Sequence, residues 1–378
     1  MISGYATAAG TERYRDRHPS LAAAGHFRRP ESVPGWGELW ISSLGLGTYL
    51  GQPDDASDRS YTEAAACALA SGINLLDAAI NYRHQRSERA LGAALSGEVA
   101  AGRLQRDEVI VCTKAGYLSF DGSMPADPRA YFMREYVDPG ILDPRQIVGG
   151  MHCMAPRFLA DQLDRCRRNL GLETIDVFYL HNPETQIGAL GLEPFYQRLA
   201  ESFTFLEQAV GEGKIRCYGC ATWNAFRLPP GQGDGLSLSR VLEAARQAGG
   251  AQHHFRVIQL PFNLQMTEAY GFRNQEAGEA AGKELVSTLE LAAREGVAVV
   301  GSASLYQGQL AAGLPAVIGQ ALGMERDWEN AIQFARSTPG LAAALIGMSR
   351  KTHVEANLKV AAHPPASPEK WKSLFSRD

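Results

Sequence analysis

Four polar residues stand at or just behind the ends of short apolar runs, where side chains of different chemistry could act together. Asp77 ends the run NLLD, and Tyr82 follows it five positions later. Lys114 closes VIVCTK, and His181 closes IDVFYLH. Each run would bury its polar end, and a buried lysine or aspartate is costly unless it meets an opposite charge. The sequence therefore predicts an ion pair between Asp77 and Lys114.

An ion pair of this kind would act on a phenol beside it. An ammonium within hydrogen-bond reach of Tyr82 favours the tyrosinate, so we expect the tyrosine pKa to fall below its ordinary value of about 10. Such a tyrosine suits a general acid, and His181 would stand as a second donor toward a substrate oxygen. This cluster could protonate a developing alkoxide. It holds no source of electrons, so the chemistry requires a redox cofactor.

The elements that would position these residues alternate along the chain from Leu44 onward, with short apolar runs separated by longer helical patterns. This order predicts parallel strands joined by helices. The predicted strands are SLGLGTY from Ser43, NLLDAA from Asn74, EVIVCTKAG from Glu108, IDVFYLH from Ile175, IRCYGCAT from Ile215, RVIQLPF from Arg256, VAVVGSAS from Val297 and AALIGMS from Ala343. Eight such units close into a barrel without an edge. The predicted fold class is α/β, a single-domain (β/α)8 TIM barrel.

Three long connections follow predicted strands and therefore lie on the C-terminal face, where barrels of this kind keep their active sites. They are residues 117–155, the run LPPGQGDGLS and residues 306–326. The first contains Tyr131, Phe132 and Tyr136, and a connection of that size is typical of a lid or a substrate wall. We expect its rings, together with Tyr49, to line the mouth of the site.

The predicted barrel covers residues 42–362 and leaves a segment at each end. Residues 1–41 form an N-terminal extension with a hairpin at the barrel bottom, and residues 363–378 form a C-terminal tail. The tail brings Trp371, Leu374 and Phe375 onto one side of a short helix. Such a side suits docking onto the barrel or onto another subunit, so a homo-oligomer is one open expectation.

Composition and charge narrow the function classes. The 378 residues are 45% hydrophobic and 21% charged, as in ordinary globular proteins, and the net charge of -4 offers no general attraction to nucleic acid or anionic lipid. No long apolar window and no signal-peptide pattern is present, which predicts a cytoplasmic protein with a small-molecule partner. Cys217 and Cys220 form a CxxC within a predicted strand, where they point to opposite faces, so no metal site is expected.

A competing fold is an open doubly wound sheet, which the run GLGTYLG suggests. Leu50 stands where the third glycine of GxGxxG belongs, and no helix follows the turn at once. These two departures favour the barrel.

The motifs resemble those of the aldo-keto reductase superfamily. In DAAINYRHQRSERALGAAL, VCTKAG and IDVFYLHNPE, the residues Asp77, Tyr82, Lys114 and His181 are similar to its catalytic tetrad. The resemblance runs from about Ser42 to Ala362 and includes GLGTY, GKIRCYGCATWN and IGMSRKTHVEANL. It implies an NADP(H)-dependent oxidoreductase that transfers hydride between nicotinamide and a carbonyl or alcohol substrate, such as an aldehyde, ketone or aldose, with Tyr82 as general acid or base. The residues it implies for the substrate are Tyr49, Tyr82, His181 and Trp223.

The resemblance also implies contacts to NADPH. Gly347 and Ser349 match the turn before the last helix, whose N-terminal N–H groups suit a phosphate. Arg350 is placed to meet the ribose 2′-phosphate, which favours NADP over NAD. Gln259 matches the residue that holds the nicotinamide carboxamide, and Asn357 matches an adenine contact. The other implied contacts are Gly47, Thr48, Asp77, Thr222, Ser302, Ser304, Leu305, Gln309 and Leu310.

Three positions depart from the family pattern. The usual Ser-Asn pair after the fifth strand is Ala221-Thr222, which leaves Thr222 to supply the carboxamide contact. Ser302 replaces the aromatic residue that often stacks on nicotinamide, and Ala356 replaces a glutamate at the adenine position. Cofactor affinity would be weaker unless Trp223 or Tyr306 substitutes for the missing ring.

Three other functions compete with this interpretation. A glycosidase needs two carboxylates about 5–10 Å apart, and only Asp77 is acidic among the strand ends, with Glu184 three residues past His181. A Schiff-base aldolase would need a lowered pKa at Lys114, which Asp77 opposes. A cofactor-sensing regulatory subunit with little turnover stays open, because the altered nicotinamide contacts and the long connection after Lys114 could serve a partner.

Overall fold

Eight parallel strands close into a barrel in the computed structural model, which describes residues 1–278, 282 and 284–375. The strands are β1 (Leu44–Gly47), β2 (Leu75–Asp77), β3 (Ile110–Ala115), β4 (Ile175–His181), β5 (Ile215–Ala221), β6 (Phe255–Pro261), β7 (Ala298–Ser302) and β8 (Leu341–Gly347). Each strand pairs with the next along the chain, and β8 pairs with β1. The predicted (β/α)8 barrel is confirmed.

One outer helix follows each strand. These helices are α1 (Asp55–Ser71), α2 (Arg86–Ala100), α3 (Pro156–Leu170), α4 (Leu192–Gly211), α5 (Leu238–Gly249), α6 (Thr288–Arg294), α7 (Asp327–Ser337) and α8 (Lys351–Ala361). Local sequence sets several of their ends. Asp54 caps α1 by accepting a hydrogen bond from the Ser57 amide at 2.7 Å, and Gly72 ends the helix at a φ of 113°.

The N-terminal segment closes the bottom of the barrel. Helices Ala8–Asp16 and Pro19–Ala23 precede an antiparallel pair formed by Phe27–Arg28 and Ile41–Ser42. Between the paired strands, Val33, Trp36 and Leu39 are buried in the same apolar cluster as residues on the inner face of the barrel. The interior is therefore packed from its N-terminal end, and a cleft is left at the other end.

The connection between β3 and α3 packs around a core of its own. It contains the short helix Pro128–Phe132, a π-helical turn at Met133–Val137 and a 3-10 turn at Pro144–Gln146. Tyr131 and Tyr136 are buried in one cluster, and the Tyr136 hydroxyl donates to the carbonyl of Ser119 at 2.7 Å. This internal core explains how so long a connection holds a defined shape.

The remaining short elements lie outside the barrel wall. They are the helices Ile187–Leu190, Glu268–Gly271, Ala316–Leu322 and Pro368–Ser373, the strand pair Gln275–Ala277 with Glu284–Val286, and 3-10 turns at Arg106–Glu108, Pro183–Gln186, Gly250–Gln252 and Tyr306–Gly308. Trp371 of the tail is buried, stacks on Phe334 of α7 and donates its indole N–H to the Phe334 carbonyl at 3.0 Å. The tail thus docks on the barrel of its own chain. None of the helices among the described residues has the length and apolar character needed to cross a membrane.

Candidate active site

A cleft of about 670 Å³ opens at the C-terminal end of the barrel. Its walls come from the ends of several strands and from the connections that follow them, as the barrel architecture requires. The lining residues are Gly47, Thr48, Tyr49, Leu50, Asp77, Asn81, Tyr82, Tyr117, His181, Asn182, Ala221, Thr222, Trp223, Gln259, Ser302, Ala303, Ser304, Leu305, Gln307, Gly308, Leu345 and Gly347. The cleft therefore brings together Asp77, Tyr82 and His181.

The predicted ion pair between Asp77 and Lys114 lies beneath this cleft. Lys114 is fully buried, and its ammonium donates to the Asp77 carboxylate and to the carbonyl of Ala78, the latter at 2.7 Å. The second carboxylate oxygen of Asp77 accepts from the Gln259 side-chain amide at 2.8 Å. Burial lowers the pKa of Lys114, but the charge of Asp77, its hydrogen bond to the ammonium and the nearby Tyr82 together raise that pKa above its ordinary value. Lys114 is therefore held as a cation.

Tyr82 lies directly above the cation. The Lys114 Nζ is 4.9 Å from the centre of the Tyr82 ring. The predicted lowering of the tyrosine pKa is wrong: burial raises the pKa of Tyr82, because loss of solvent outweighs the lowering effect of Lys114. The cation acts in the expected direction, but the sequence could not show how deeply the phenol is buried. Tyr82 is thus a protonated phenol at neutral pH.

His181 completes the group as a neutral imidazole. Burial and the nearby Lys114 charge hold its pKa well below the ordinary value. Its ring meets Tyr82 edge-on at a centroid distance of 5.6 Å and Tyr117 at 5.0 Å. Its Nδ1 is buried and has no hydrogen-bond partner among the described residues. A neutral ring that faces the cleft can donate one hydrogen bond to a substrate oxygen.

The turn that carries Tyr82 is fixed by contacts on both sides. The amides of Ala78 and Ile80 donate to carbonyls of β3 at 3.0 and 3.1 Å. Arg83 then forms an ion pair with Asp58 of α1 and donates to the carbonyl of Gln52 at 2.9 Å. The three residues after Tyr82 all have positive φ, a strained conformation that such contacts must hold in place. These anchoring contacts were not predicted from the sequence.

The predicted cofactor residues separate into two sets. Gly47, Thr48, Asp77, Thr222, Gln259, Ser302, Ser304, Leu305 and Gly347 line the cleft. Within the described structure, Gln309, Leu310, Ser349, Arg350 and Asn357 lie outside it. Leu310 and Asn357 are buried, whereas Gln309 and Arg350 are exposed. The cofactor contacts assigned to all of these residues stay predictions.

The two residues predicted to hold the carboxamide already have partners in the protein. The Gln259 side-chain amide donates to the Asp77 carboxylate. The Thr222 hydroxyl donates to the backbone carbonyl of Gln259 at 3.2 Å. Other side-chain contacts also brace the cleft wall: Ser304 donates to the Leu345 carbonyl at 3.0 Å. These side chains are therefore held in place before any ligand binds.

The prediction that Tyr131, Phe132 and Tyr136 line the mouth is wrong. Tyr131 and Tyr136 are buried in the separate core of their connection, and Phe132 packs against it. Of residues 117–155, all of which the structure describes, Tyr117 alone lines the cleft. Aromatic residues in a long connection can pack on one another as readily as on a substrate, and their spacing does not distinguish the two.

Several lining residues were missed by the sequence analysis. Asn81 and Asn182 adjoin Tyr82 and His181 in the chain, and this adjacency was an available signal. The Asn182 side chain donates to the Tyr117 hydroxyl at 3.1 Å, and the Asn81 side-chain oxygen is buried without a partner among the described residues. The other missed lining residues are Leu50, Tyr117, Ala303, Gln307, Gly308 and Leu345.

Glu184 acts from behind the cleft on the loop after β5. Its carboxylate accepts from the backbone amides of Trp223 and Asn224 at 2.6 and 3.2 Å. Burial raises the pKa of Glu184 to about 7. Trp223 lines the cleft with 40% of its surface exposed, so Glu184 fixes the backbone that presents this ring.

Comparisons with known proteins agree with this architecture. The model of the Aldo/keto reductase family matches residues 43–228. Among solved structures, an aldo-keto reductase from Bacillus halodurans in its holo form is 18% identical, with 92% of this chain and 95% of that chain covered and a TM-score of 0.62. An aldo/keto reductase from Klebsiella pneumoniae in complex with NADP and acetate is 19% identical, with 89% and 93% covered and a TM-score of 0.58. The glycerol dehydrogenase of Gluconobacter oxydans is 19% identical, with 93% and 94% covered and a TM-score of 0.60.

One curated relative is similar over part of its length. The NADH-specific methylglyoxal reductase of Escherichia coli (strain K12) is 26% identical over 196 residues, which are 50% of this chain and 51% of that protein. The match therefore spans about half the length of the curated relative. The solved structures share the (β/α)8 barrel fold of this chain. Residues 43–228, just under half of the chain, are similar to the aldo/keto reductase family.

Proposed function

We propose that this protein is an NADP(H)-dependent oxidoreductase that transfers hydride between nicotinamide and a carbonyl or alcohol substrate, with Tyr82 as general acid or base. The observation that carries the proposal is the buried Lys114–Asp77 ion pair beneath a phenol that lines the main cleft. A buried lysine paired with a carboxylate needs a reason, since burying both charges is costly. The reason we propose is that the Lys114 ammonium stabilises the tyrosinate that Tyr82 forms when it gives up its proton.

Each residue has a defined task in carbonyl reduction. Tyr82 donates its proton to the substrate oxygen as negative charge develops there, and the Lys114 ammonium stabilises the tyrosinate that remains. The neutral His181 ring donates a hydrogen bond to the same oxygen. Asp77 keeps Lys114 charged and in place. In alcohol oxidation the same residues work in reverse, with tyrosinate accepting the proton.

The residues present fit a nicotinamide dinucleotide phosphate, which supplies or accepts the hydride when bound. The cleft runs from Tyr82 to Gly347, close to the start of α8. The first turn of α8, all of it described, carries Lys351 and no acidic residue, and the exposed Arg350 stands at its N-cap. Two cations at the positive end of a helix oppose the helix dipole, whereas an anion there would complement both. This arrangement supports binding of the 2′-phosphate of NADP.

The relatives differ in the cofactor that is named for them. The Klebsiella pneumoniae structure is a complex with NADP, whereas the Escherichia coli relative is described as NADH-specific. Our proposal favours NADP because of Arg350. The occupied side chains of Gln259 and Thr222, together with Ser302 in place of an aromatic ring, support the alternative of a cofactor-binding regulatory or sensing subunit with little turnover.

Replacement of Tyr82 by phenylalanine separates the two functions. We expect Tyr82→Phe to lower the rate on a panel of aldehydes, ketones and aldoses by at least about 100-fold, because the proton donor is lost. Binding of NADPH, followed by fluorescence titration, should be retained. Tyr270→Phe, at a tyrosine that packs against the tail helix, serves as the matched control and should keep wild-type rates. Equal rates in Tyr82→Phe and wild type would remove Tyr82 from the mechanism, and cofactor binding without turnover in the wild type would favour the sensing subunit.

A further inference from the structure

A buried polar cluster lies behind His181 and outside the cleft. The Nε2 of His152 is 2.8 Å from the backbone carbonyl of His181, and the Gln186 side-chain amide is 3.1 Å from the His152 Nδ1. All three residues are buried. A carbonyl only accepts hydrogen bonds, so Nε2 must carry the proton and Nδ1 must accept from Gln186. The geometry therefore fixes one neutral tautomer of His152, in line with the lowering of its pKa to about 4 by burial.

His152 reaches this position because both ends of the β3–α3 connection meet there. Leu118 donates to the Met151 carbonyl and Cys153 donates to the Gly116 carbonyl, each at 2.8 Å. Gly116 has a φ of 143°, and a Cβ at this position would stand 2.7 Å from the His152 Nε2. Only glycine leaves space for the imidazole to cross the end of β3 toward β4.

The His181 carbonyl depends on this contact. β3 ends at Ala115, which pairs with Leu180, so no residue of β3 pairs with His181. Asn182 then turns away with a φ of 46°. A buried carbonyl without a hydrogen-bond partner destabilises the folded state. His152 supplies the donor that the strand does not.

The His181 ring is held by neighbours instead of by a hydrogen bond at Nδ1. That atom has no partner among the described residues, so the ring orientation depends on its edge-on contacts and on its backbone. Tyr117 contacts both imidazoles, with centroid distances of 5.0 Å to His152 and 5.0 Å to His181. His152 thus contacts the backbone of His181 directly, and Tyr117 lies between the two rings.

We propose that His152, supplied by the long β3–α3 connection, is a positioning residue that aims the His181 imidazole into the cleft. The inference rests on the proposed function, since His181 is the donor to the substrate oxygen in that function. The inference also gives the β3–α3 connection a role, since its residue His152 would hold His181 in position from outside the cleft.

Paired replacements of His152 test this role. His152→Phe keeps a ring against Tyr117 but removes the donor, whereas His152→Gln places an amide N–H close to the original Nε2. Since a displacement of about 1 Å can cost about 100-fold, we expect His152→Phe to lower kcat by roughly 10- to 100-fold with little change in KM. His152→Gln should restore kcat to within a few-fold of wild type. Gln186→Met, which removes the donor to Nδ1, should give a smaller loss and serves if His152→Phe does not fold.

A control within the same connection separates positioning from stability. Tyr136→Phe removes the hydrogen bond to Ser119 and should lower Tm while leaving kcat unchanged. Side-chain ¹H–¹⁵N spectra of histidine-labelled protein provide a second readout, with the His181 ring assigned by its loss in His181→Gln. We expect His152→Phe to shift the His181 ring signals and His152→Gln to restore them.

The two readouts keep this inference distinct from the proposed function. Unchanged kcat and unchanged His181 signals in His152→Phe would overturn the positioning role. If the wild type shows no turnover on any carbonyl, the proposed function fails. In that case the His181 signals decide the positioning role: shifted signals support it, and unchanged signals overturn it.

Discussion

At the scale of single residues, burial sets the protonation state of the site. Tyr82 is protonated because it is buried, and His181 is neutral for the same reason, with the Lys114 charge adding to the effect. Lys114 is the exception, since the charge and hydrogen bond of Asp77, together with the nearby Tyr82, raise its pKa despite its burial. The site at neutral pH therefore presents two neutral donors above one paired cation, which is the state that carbonyl reduction requires.

Loss of the cation should affect stability as well as rate. Lys114→Met leaves Asp77 buried without its partner, so we expect the free energy of unfolding to fall by about 3–5 kcal/mol. The double variant Asp77→Asn/Lys114→Met removes both charges and should recover part of this loss, while its turnover stays low. Urea denaturation and rate measurements on the same preparations check both expectations.

The surface lysine Lys351 provides the control for this comparison. Lys351→Met removes an exposed cation whose nearest carboxylate, Glu355, is 3.7 Å away, and it should change stability little. A Lys114→Met variant as stable as Lys351→Met would show that the buried pair contributes nothing, and full turnover in the double variant would remove both charges from the mechanism.

Residue types at strand ends made Asp77, Lys114 and His181 predictable, because apolar runs show where a strand is buried and where it stops. The direction of the Tyr82 pKa was not predictable, because it depends on a balance between burial and one nearby charge. His152 was also missed. Its role comes from a contact with a backbone carbonyl that sequence spacing does not reveal.

At the scale of elements, the loops after the strands are positioned by buried polar groups in the connections behind them. Arg83 ties the Tyr82 turn to α1, and Glu184 ties the Trp223 loop to the connection after β4. Glu184 is a buried carboxylate with no ion-pair partner among the described residues, and the nearby Asp234 further raises its pKa. Its charge therefore opposes folding once it forms.

Stability should accordingly depend on pH through Glu184. Its folded-state pKa of about 7 lies above its ordinary value of 4.5, so the folded state favours the protonated acid. Wild-type stability should fall as pH rises from about 5 through 7, because only the unfolded state ionises freely. Glu184→Gln mimics the protonated form and should exceed wild type by about 3 kcal/mol above pH 7 and by little below pH 5. Denaturation curves across this range measure the difference, and a constant difference would show that Glu184 does not titrate there.

The prediction for the long β3–α3 connection failed for a reason at this scale. Its size and aromatic content are equally compatible with a substrate wall and with a separate packed unit. Tyr131 and Tyr136 belong to a separate packed unit. The connection lines the cleft through Tyr117 and contacts the His181 carbonyl through His152. Tertiary packing decides between a substrate wall and a separate packed unit, and the order of residue types does not show that packing.

At the scale of the whole molecule, the alternation of strands and helices was sufficient to predict the barrel. Apolar runs that are buried on both faces, such as Ile175–His181, identify parallel strands, and eight of them close without an edge. The packing of Val33, Trp36 and Leu39 into the barrel bottom was harder to predict, since that segment has no strong hydrophobic periodicity. The closed lower end leaves the cleft at the upper end, where the strand-end residues converge.

The role of Tyr82 in proton transfer can be tested by the pH dependence of alcohol oxidation. Because burial raises the pKa of Tyr82 above its ordinary value of about 10, tyrosinate is scarce at neutral pH. We predict that kcat/KM for oxidation rises about tenfold per pH unit toward pH 10 in the wild type, and that this rise is lost in Tyr82→Phe. A flat profile in the wild type, or the same rise in Tyr82→Phe, would contradict the assignment of Tyr82 as the group that gives and takes the proton.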